Sequence, residues 1–512
     1  MNNVIWSVHK LYNPVKNSFV FRVITLFVIA LFVTLLDSKL SAKPALPDTP
    51  MSYSEMETLI QQLQEKSFIS VETITQTVQG RNVYLVHVDP DPNKSAWRLF
   101  FIGQQHGDEP AGKDALLHWL RRIAEKPSLI SRDTDIWMVP MTNPDGAEAN
   151  TRRNGNDADL NRDHTLLVQP ETRAIHEQVR KIQPHVIVDC HEFTRDSEDY
   201  LKNGWLEWPL IMMDTANNPN FTDGIYSTGK WFCETVSPKM QKAGVNYTRY
   251  YVGGTPPNEE LRYSSPEIDD ARNGLASYGG LGFIIESGVN RDRKNPNDNL
   301  SERVRAYNLL FDEFAGNQEF RTRGLKVVKN SRSAQLPKYI STNYFWGNVG
   351  MQTHLVKVRD AHTNKTLEIE TLNFMTDMIV KKSITRPIGY LIDAKSAERY
   401  RPLLESQDID FDVLSKPTSY VVESCSLITI ENSWDPVYSR YAGRQIVEQR
   451  NTALKSFQQG AIYIPVSKPN DRRDFILFEP TMLYGMYQYQ HYFDTIDGAT
   501  QIPVYRVMQN AQ

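Results

Sequence analysis

Four short segments of this 512-residue chain carry residue types that could build and use a metal centre. They are His106-Gly-Asp-Glu109, the stretch ending Asp159-Leu-Asn161-Arg162, Asp189-Cys-His191 and Ile285-Glu286-Ser-Gly. A catalytic zinc ion takes three protein ligands from His and carboxylate and keeps one position open. His106 and Glu109, three residues apart where a helix begins near Pro110, would supply two ligands, and His191 the third. Glu286 would not ligate the metal. Its expected work is to take a proton from a water whose pKa the metal lowers towards about 7, and to pass it to a leaving amine. Alone, an H-x-x-E pattern more often marks a charged helix start. Between the first and third segments, however, stand Asn143-Pro-Asp-Gly146, Thr151-Arg152-Arg153-Asn154 and Asp159-Leu-Asn161-Arg162, a string too particular for turn chemistry.

The elements that must position these groups are short apolar runs. Trp97–Gly103 leads into His106, Asp135–Thr142 precedes the Asn/Arg segment, Val186–Asp189 delivers His191 and Gly282–Ile285 delivers Glu286. Amphipathic helices over Ala111–Ala124 and Glu171–Lys181 alternate with them, which predicts an α/β fold: a mixed, mostly parallel sheet with helices on both faces. In such sheets functional groups collect beyond the carboxyl ends of the strands, so all four segments are expected in loops around one crevice. A helix over Tyr53–Gln64 and strands over Thr73–Val78 and Arg81–Val88 precede the first segment, and a helix over Ser301–Phe314 closes the region.

The string N-P-D-G…T-R-x-N…D-L-N-R, with H-G-D-E upstream and a strand-terminal His and Glu downstream, resembles the zinc metallocarboxypeptidases of the carboxypeptidase A superfamily (M14), in particular an exported bacterial branch. The resemblance covers roughly residues 52 to 314. It implies one zinc ion on His106, Glu109 and His191, with Glu286 as general base and acid. It further implies that Asn161 and Arg162 grip the substrate's C-terminal carboxylate, that Arg152 steadies the oxyanion, and that Asp159 orients a ligand histidine. The residue types agree with those roles. Arg reads a carboxylate through a planar fork, and a developing oxyanion needs a fixed positive donor. Arg153 is expected to pair with a neighbouring Asp on a solvated loop. The family also carries a tyrosine that closes over the substrate side chain; Tyr263 falls at about the right distance before Glu286, with Tyr251 and Tyr278 as alternatives. Arg272 is expected in a structural salt bridge, the alternative being contact with an acidic terminal side chain.

Length and composition fit a multi-domain exported enzyme. The chain can fill two or three cores, and its 40% hydrophobic and 23% charged residues are those of an ordinary globular protein. A net charge of −4 with no basic tract speaks against a nucleic-acid partner. Residues 1–42 read as a signal peptide: Lys10, Lys16 and Arg22 lead an apolar run, Val23–Leu36, that is short for a span of about 20 residues. An uncleaved membrane anchor is the alternative to a periplasmic or extracellular product. Three cysteines, Cys190, Cys233 and Cys425, are too few for a disulfide framework. Strand alternation turns Cys190 away from the metal side. A Cys233–Cys425 bridge is open.

The expected organisation is therefore signal 1–42, linker 43–51, catalytic domain 52–320 and a C-terminal α+β accessory domain 324–512. The last holds short strands and one strand–helix–strand unit, and no His/Glu/Cys constellation of its own. Between His191 and Glu286 lies a long insertion with the Trp205-Leu-Glu-Trp-Pro segment, a Trp231 helix and the Gly253–Pro257 loop. The leading functional expectation is a zinc carboxypeptidase acting on peptides with a free C-terminal carboxylate, cell-wall peptides included. A zinc amidohydrolase that deacylates N-acyl amino acids and a catalytically inactive zinc-fold binding module are the alternatives.

Overall fold

The computed structural model describes residues 44–290, 300–429, 433–435, 440–442, 446–482, 485–492, 494–496 and 499–509. The expected signal segment lies outside them. Residues 46–512 form one compact unit.

Its centre is an eight-stranded sheet. In chain order the strands are β1 (Ile69–Gln76), β2 (Asn82–Val88), β3 (Trp97–Gly103), β4 (Thr134–Val139), β5 (Val186–Thr194), β6 (Trp205–Glu207, outside this sheet), β7 (Ile211–Thr215), β8 (Tyr247–Arg249), β9 (Tyr251–Gly253) and β10 (Leu261–Tyr263), both also outside it, and β11 (Leu281–Val289). The order across the sheet is β1-β2-β4-β3-β5-β11-β7-β8. β4, β3, β5 and β11 run parallel, as does β8 beside β7, while β1, β2 and β7 pair antiparallel to their inner neighbours. The mixed, mostly parallel sheet expected from the sequence is what forms.

Alternation along the strands sorts the core into two layers. Leu99, Phe101, Val188, Cys190, Phe283 and Ile285 bury on one face with the helices Ala111–Glu125, Ile225–Lys242 and Leu300–Gly316. Phe100, Ile102, Val139 and Ile187 bury on the other, under Pro170–Ile182 and Ala271–Ala276. Cys190 thus faces the helical layer, as expected, and all three cysteines are free thiols. The helix Ala111–Glu125 lies so close to β5 that a Cβ at Gly112 would come within 2.5 Å of Cys190 Cβ. That position admits only glycine without moving the strand or the helix.

Two placements differ from expectation. β5 and β11 run past Asp189 and Ile285 and stay paired through Thr194 and Val289, so His191 and Glu286 sit within strands rather than on loops. The extended parallel pairing keeps their backbones hydrogen-bonded and fixes where the side chains point. The helix Gln318–Ser333 also runs continuously across the expected boundary between the two larger domains.

The C-terminal region forms its own antiparallel sheet around Gly389–Ile392, Ile462–Pro465, Val504–Gln509 and Thr418–Thr429, with a core that includes Tyr390, Tyr400 and Phe475. It is stitched to the insertion by main-chain pairing. The strand His354–Asp360 pairs with β6, and Phe374–Met375 pairs with β10. Among the described residues no helix is long and apolar enough to cross a membrane.

Candidate metal-dependent hydrolase site

Glu109 is set by what caps the helix behind it. The first helical amide, Ala111 N–H, donates to Glu192 Oε1 at 2.7 Å, and Glu192 N–H donates to Glu109 Oε2 at 3.0 Å. The helix start is thereby tied to β5, and Glu109 lies beside His191.

His106, Glu109 and His191 are all buried, and ligand atoms from the three converge. His106 Nδ1 is 2.9 Å from Glu109 Oε1, His191 Nδ1 is 2.9 Å from Glu109 Oε2, and the two Nδ1 atoms are 3.1 Å apart. The opposite ring nitrogens rest on carboxylates. His106 Nε2–H donates to Asp159 Oδ1 at 3.1 Å, and His191 Nε2–H donates to Asp189 Oδ2 at 2.7 Å. Carboxylates only accept, so the ring protons belong on Nε2 and both Nδ1 atoms present lone pairs. Two such nitrogens 3.1 Å apart beside a carboxylate call for positive charge among them, of which Arg152 Nη1, 3.1 Å from His106 Nδ1, supplies only part. The donor set and the spacing therefore fit a zinc ion bonded at about 2 Å to each ligand. Burial opposes charge on the His191 ring, but Asp189 and Glu109 outweigh it and hold its pKa well above the usual range.

Glu286 lies directly across the β5–β11 pairing from His191. Burial raises its carboxyl pKa to about 7; Glu109 and Asp189 push the same way, against the pull of His191 and His106. Its Oε2 has no hydrogen-bond partner. One carboxylate oxygen therefore stays open beside the ligand set, as a proton carrier requires.

Arg152 Nε and Nη2 both meet Asp159 Oδ2, at 2.8 and 2.7 Å, and Nη1 donates to His106 Nδ1 at 3.1 Å. Its guanidinium stays partly exposed at the cavity. Arg162 is half-buried and donates to Asn161 O at 2.6 Å; desolvation opposes its charge, but Asp269, Asp159, Glu267 and Asp270 raise its pKa further. Asn161 Oδ1 accepts from Ala271 N–H at 2.8 Å while its Nδ2 lies 2.9 Å from His191 Nε2. All of these, with Arg262, Ser264, Asp270 and Arg272, line one cavity of about 370 Å³ that opens onto His106, Glu109, His191 and Glu286. Arg153 pairs with Asp157 at 3.7 Å, and Arg272 bonds Asp270 at 2.8 Å in a buried salt bridge.

Tyr263 is a correction. It packs away from the cavity, with Arg249 stacked 3.6 Å above its ring and Phe374 and Trp346 beside it, because it alternates on β10 with Arg262, which lines the cavity. Neither Tyr251, buried against Phe374, nor Tyr278, stacked on His176, reaches the cavity either. The tyrosine that does is Tyr250, whose hydroxyl faces Glu286; burial first, and then that carboxylate, push its pKa well up. No spacing rule points to it, since it sits between two three-residue strands.

Asp189 was legible as position i−2 of a ligand on a strand, where both side chains share one face. The groups behind it were not. Gln105 Nε2–H donates to Asp189 Oδ1 at 2.8 Å, His164 Nε2–H to Gln105 Oε1 at 3.0 Å, His176 Nε2–H to His164 Nδ1 at 3.0 Å, and Tyr278 O–H to His176 Nδ1 at 2.9 Å. Burial pushes His164 down to about 3 and His176 well below its usual value, so both rings are neutral. With a carboxylate at one end, only one direction of donation satisfies every link. Arg473 and Gln407 of the C-terminal region hold this chain in place by donating to His164 O at 2.9 Å and Thr165 O at 2.7 Å.

A buried two-His, one-Glu group lies at the carboxyl end of a mostly parallel sheet, with a further carboxylate and several arginines in the same cavity: the residue set a metal-dependent hydrolase would need. The zinc carboxypeptidase family model, peptidase M14, matches residues 56–195. Carboxypeptidase 2 of Trichophyton tonsurans is 25% identical over 81% of this chain and 77% of its own length. Carboxypeptidase 2 of Trichophyton rubrum is 28% identical over 48% of this chain and 47% of its own, so the chain spans about half of that relative. Among solved structures, a metallo-carboxypeptidase from Burkholderia cenocepacia aligns over 55% of this chain and 70% of its own, with 18% identity and a TM-score of 0.41. Over residues 56–195 the chain thus carries the zinc carboxypeptidase pattern, and the relatives it resembles over longer stretches are carboxypeptidases.

Proposed function

We propose that this chain is an exported, zinc-dependent carboxypeptidase that removes the C-terminal residue of peptides, cell-wall peptides among them. One observation carries the reading. The ligand group, the Glu286 carboxylate with one open oxygen and the Asn161–Arg162 pair share a single cavity.

His106, Glu109 and His191 would hold the zinc, which when bound polarises a carbonyl and lowers the pKa of water. Asn161 and Arg162 bind the substrate's terminal carboxylate through a charge-assisted contact, which places the last peptide bond over the ligand group. Glu286 takes a proton from the attacking water and returns it to the amine that leaves. Arg152, braced by Asp159, supplies positive charge where the carbonyl oxygen becomes negative. Asp159 and Asp189 fix the two ligand rings in the productive tautomer. Export is supported by the residue pattern of positions 1–42 alone.

Purified protein incubated with ordinary peptides, muropeptide stems and N-acyl amino acids, read by mass spectrometry, tests this. Loss of single C-terminal residues is expected. Cleavage confined to N-acyl amino acids would transfer the reading to an amidohydrolase, and no turnover with zinc bound would transfer it to a binding module.

A further inference from the structure

At the other end of the same sheet lies a second group with the chemistry of metal ligands. Ligand atoms of His87, Asp89 and Asp135 lie within 4.8 Å of one another. Their placement follows from register. His87 stands opposite Trp137 in the β2–β4 pairing, Asp89 follows two residues on, and Asp135 is two residues before Trp137. Residues two apart on a strand share a face, so all three side chains project to the same side. β4 begins at Thr134, so this is the amino end of the parallel strands, a strand's length from the cavity that holds Glu286.

Each of the three carries an atom that should have a partner and has none. His87 Nε2, Asp89 Oδ1 and Asp135 Oδ1 are shielded from solvent without a hydrogen bond. Asp135 is only 3% exposed. A buried acceptor left unsatisfied is destabilising, and more so when charged. Three together, two of them on carboxylates that repel each other, form an arrangement that folding alone does not favour. The neighbours relieve it only in part: Ser95 hydrogen-bonds the Asp135 carboxyl and Arg98 attracts it, but Arg98, opposite Asp135 in the β3–β4 pairing, spends Nε and Nη2 on Gln183 O at 3.1 and 3.0 Å, and Asp135 Oδ1 stays unpartnered. The His87 ring is held flat on Trp137, with centroids 4.2 Å apart and planes 6° from parallel, so its direction is fixed.

We propose that His87, Asp89 and Asp135 bind a second divalent metal ion, structural in role and distinct from the ion at His106, Glu109 and His191. One imidazole and two carboxylates suit zinc or another first-row transition ion better than magnesium or calcium, which favour all-oxygen shells. Water completes the coordination from the half-buried His87 side. The ion joins the end of β2 to the start of β4 and fixes the Asp89-Pro90-Asp91-Pro92 turn that follows.

The test separates the two sites by removing one. His191→Ala chain, stripped of metal and dialysed against zinc, is expected to hold one zinc per chain by mass spectrometry of metals. Its thermal midpoint should rise as zinc is added. Adding His87→Gln, at a half-buried position, should abolish both; Asp135→Asn in the same background provides a second comparison. Wild-type protein should hold two ions and the His87→Gln protein one. A His191→Ala chain that takes up no zinc at millimolar concentration, or one that keeps it when His87 is replaced, overturns the proposal. Two carboxylates sharing a proton would give the first result. Because the readout is bound metal and not turnover, it holds whether or not the carboxypeptidase reading does.

Discussion

The two ends of the central sheet hold the same residue types in different settings. At the carboxyl end, each ligand ring is braced from behind by a carboxylate, His106 by Asp159 and His191 by Asp189. At the amino end, His87 is braced only by the flat face of Trp137, and the two carboxylates face each other with buried oxygens unpartnered. Hydrogen-bonded backing fixes tautomer and raises ligand basicity, whereas stacking fixes only the plane of the ring. The same sheet thus offers one ligand group suited to tight metal binding and another suited, at most, to looser binding. A catalytic centre needs neighbours that do chemistry as well, and the cavity at the carboxyl end adds Glu286 and several arginines.

The largest effect that would sharpen this contrast is on turnover. Glu286→Gln should retain the metal at His106, Glu109 and His191 while the rate falls by at least about a thousandfold. Near-normal turnover would remove Glu286 from the reaction. The same variant bears on pH. Glu286 acts ionised and its carboxyl stands at about 7, with a bound dication pulling it lower. Wild-type kcat/KM should therefore fall as pH drops below an apparent pKa at or under 7, as protonation removes the base. A wild-type profile flat from pH 8 to 5 would break the assignment.

Next comes the carboxylate contact. Arg162→Ala should raise KM by an amount worth about 2–5 kcal/mol, and C-terminal amidation of the peptide should impair wild-type cleavage by a similar factor. Combined, the two should not add, because each removes half of one contact. Arg152→Ala should instead lower kcat more than it raises KM, since its partner charge exists only in the transition state. Equal cleavage of free and amidated peptides would show that the cavity does not read a carboxylate.

A smaller effect tests the backing itself. Asp189→Asn should weaken metal binding by about 10- to 100-fold, and Gln105→Leu, one link further out, by less. A greater loss for Gln105→Leu would show that the buried chain, not the carboxylate, sets the His191 ring. The smallest effect belongs to the far end. His87→Gln should lower the thermal midpoint yet leave kcat/KM within about twofold, as expected of sites that share no partners. A tenfold loss of activity there would join the two ends into one unit.

The parts of this protein that could be read in advance are those with short-range signatures. The parallel strands announced themselves as apolar runs, and the ligands stood at or near their ends. Asn161 and Arg162 were recognisable as a string. What escaped depends on pairing between distant segments. Nothing local tells that His354–Asp360 will extend β6 or that Phe374–Met375 will lie beside β10, and that second pairing brings in the Phe374 ring on which Tyr263 packs. His164 and His176, twelve residues apart in the sequence, become successive links only because a turn and a helix bring their rings to 3.0 Å. The second ligand group was missed for a related reason: His87 and Asp135 meet only through antiparallel register.

The close contact of Gly112 with Cys190 has a consequence for mutational tolerance. Cys190 lies between Asp189 and His191 on β5, with its side chain on the opposite face of the strand. A methyl group at Gly112 would press on the one residue whose displacement shifts a ligand and the carboxylate that braces it together. In a saturation screen scored by activity, position 112 should therefore behave like a ligand, although glycine offers the metal, the substrate and the proton nothing to bind. Here the accuracy of the centre rests on the missing side chain of a residue in another structural layer.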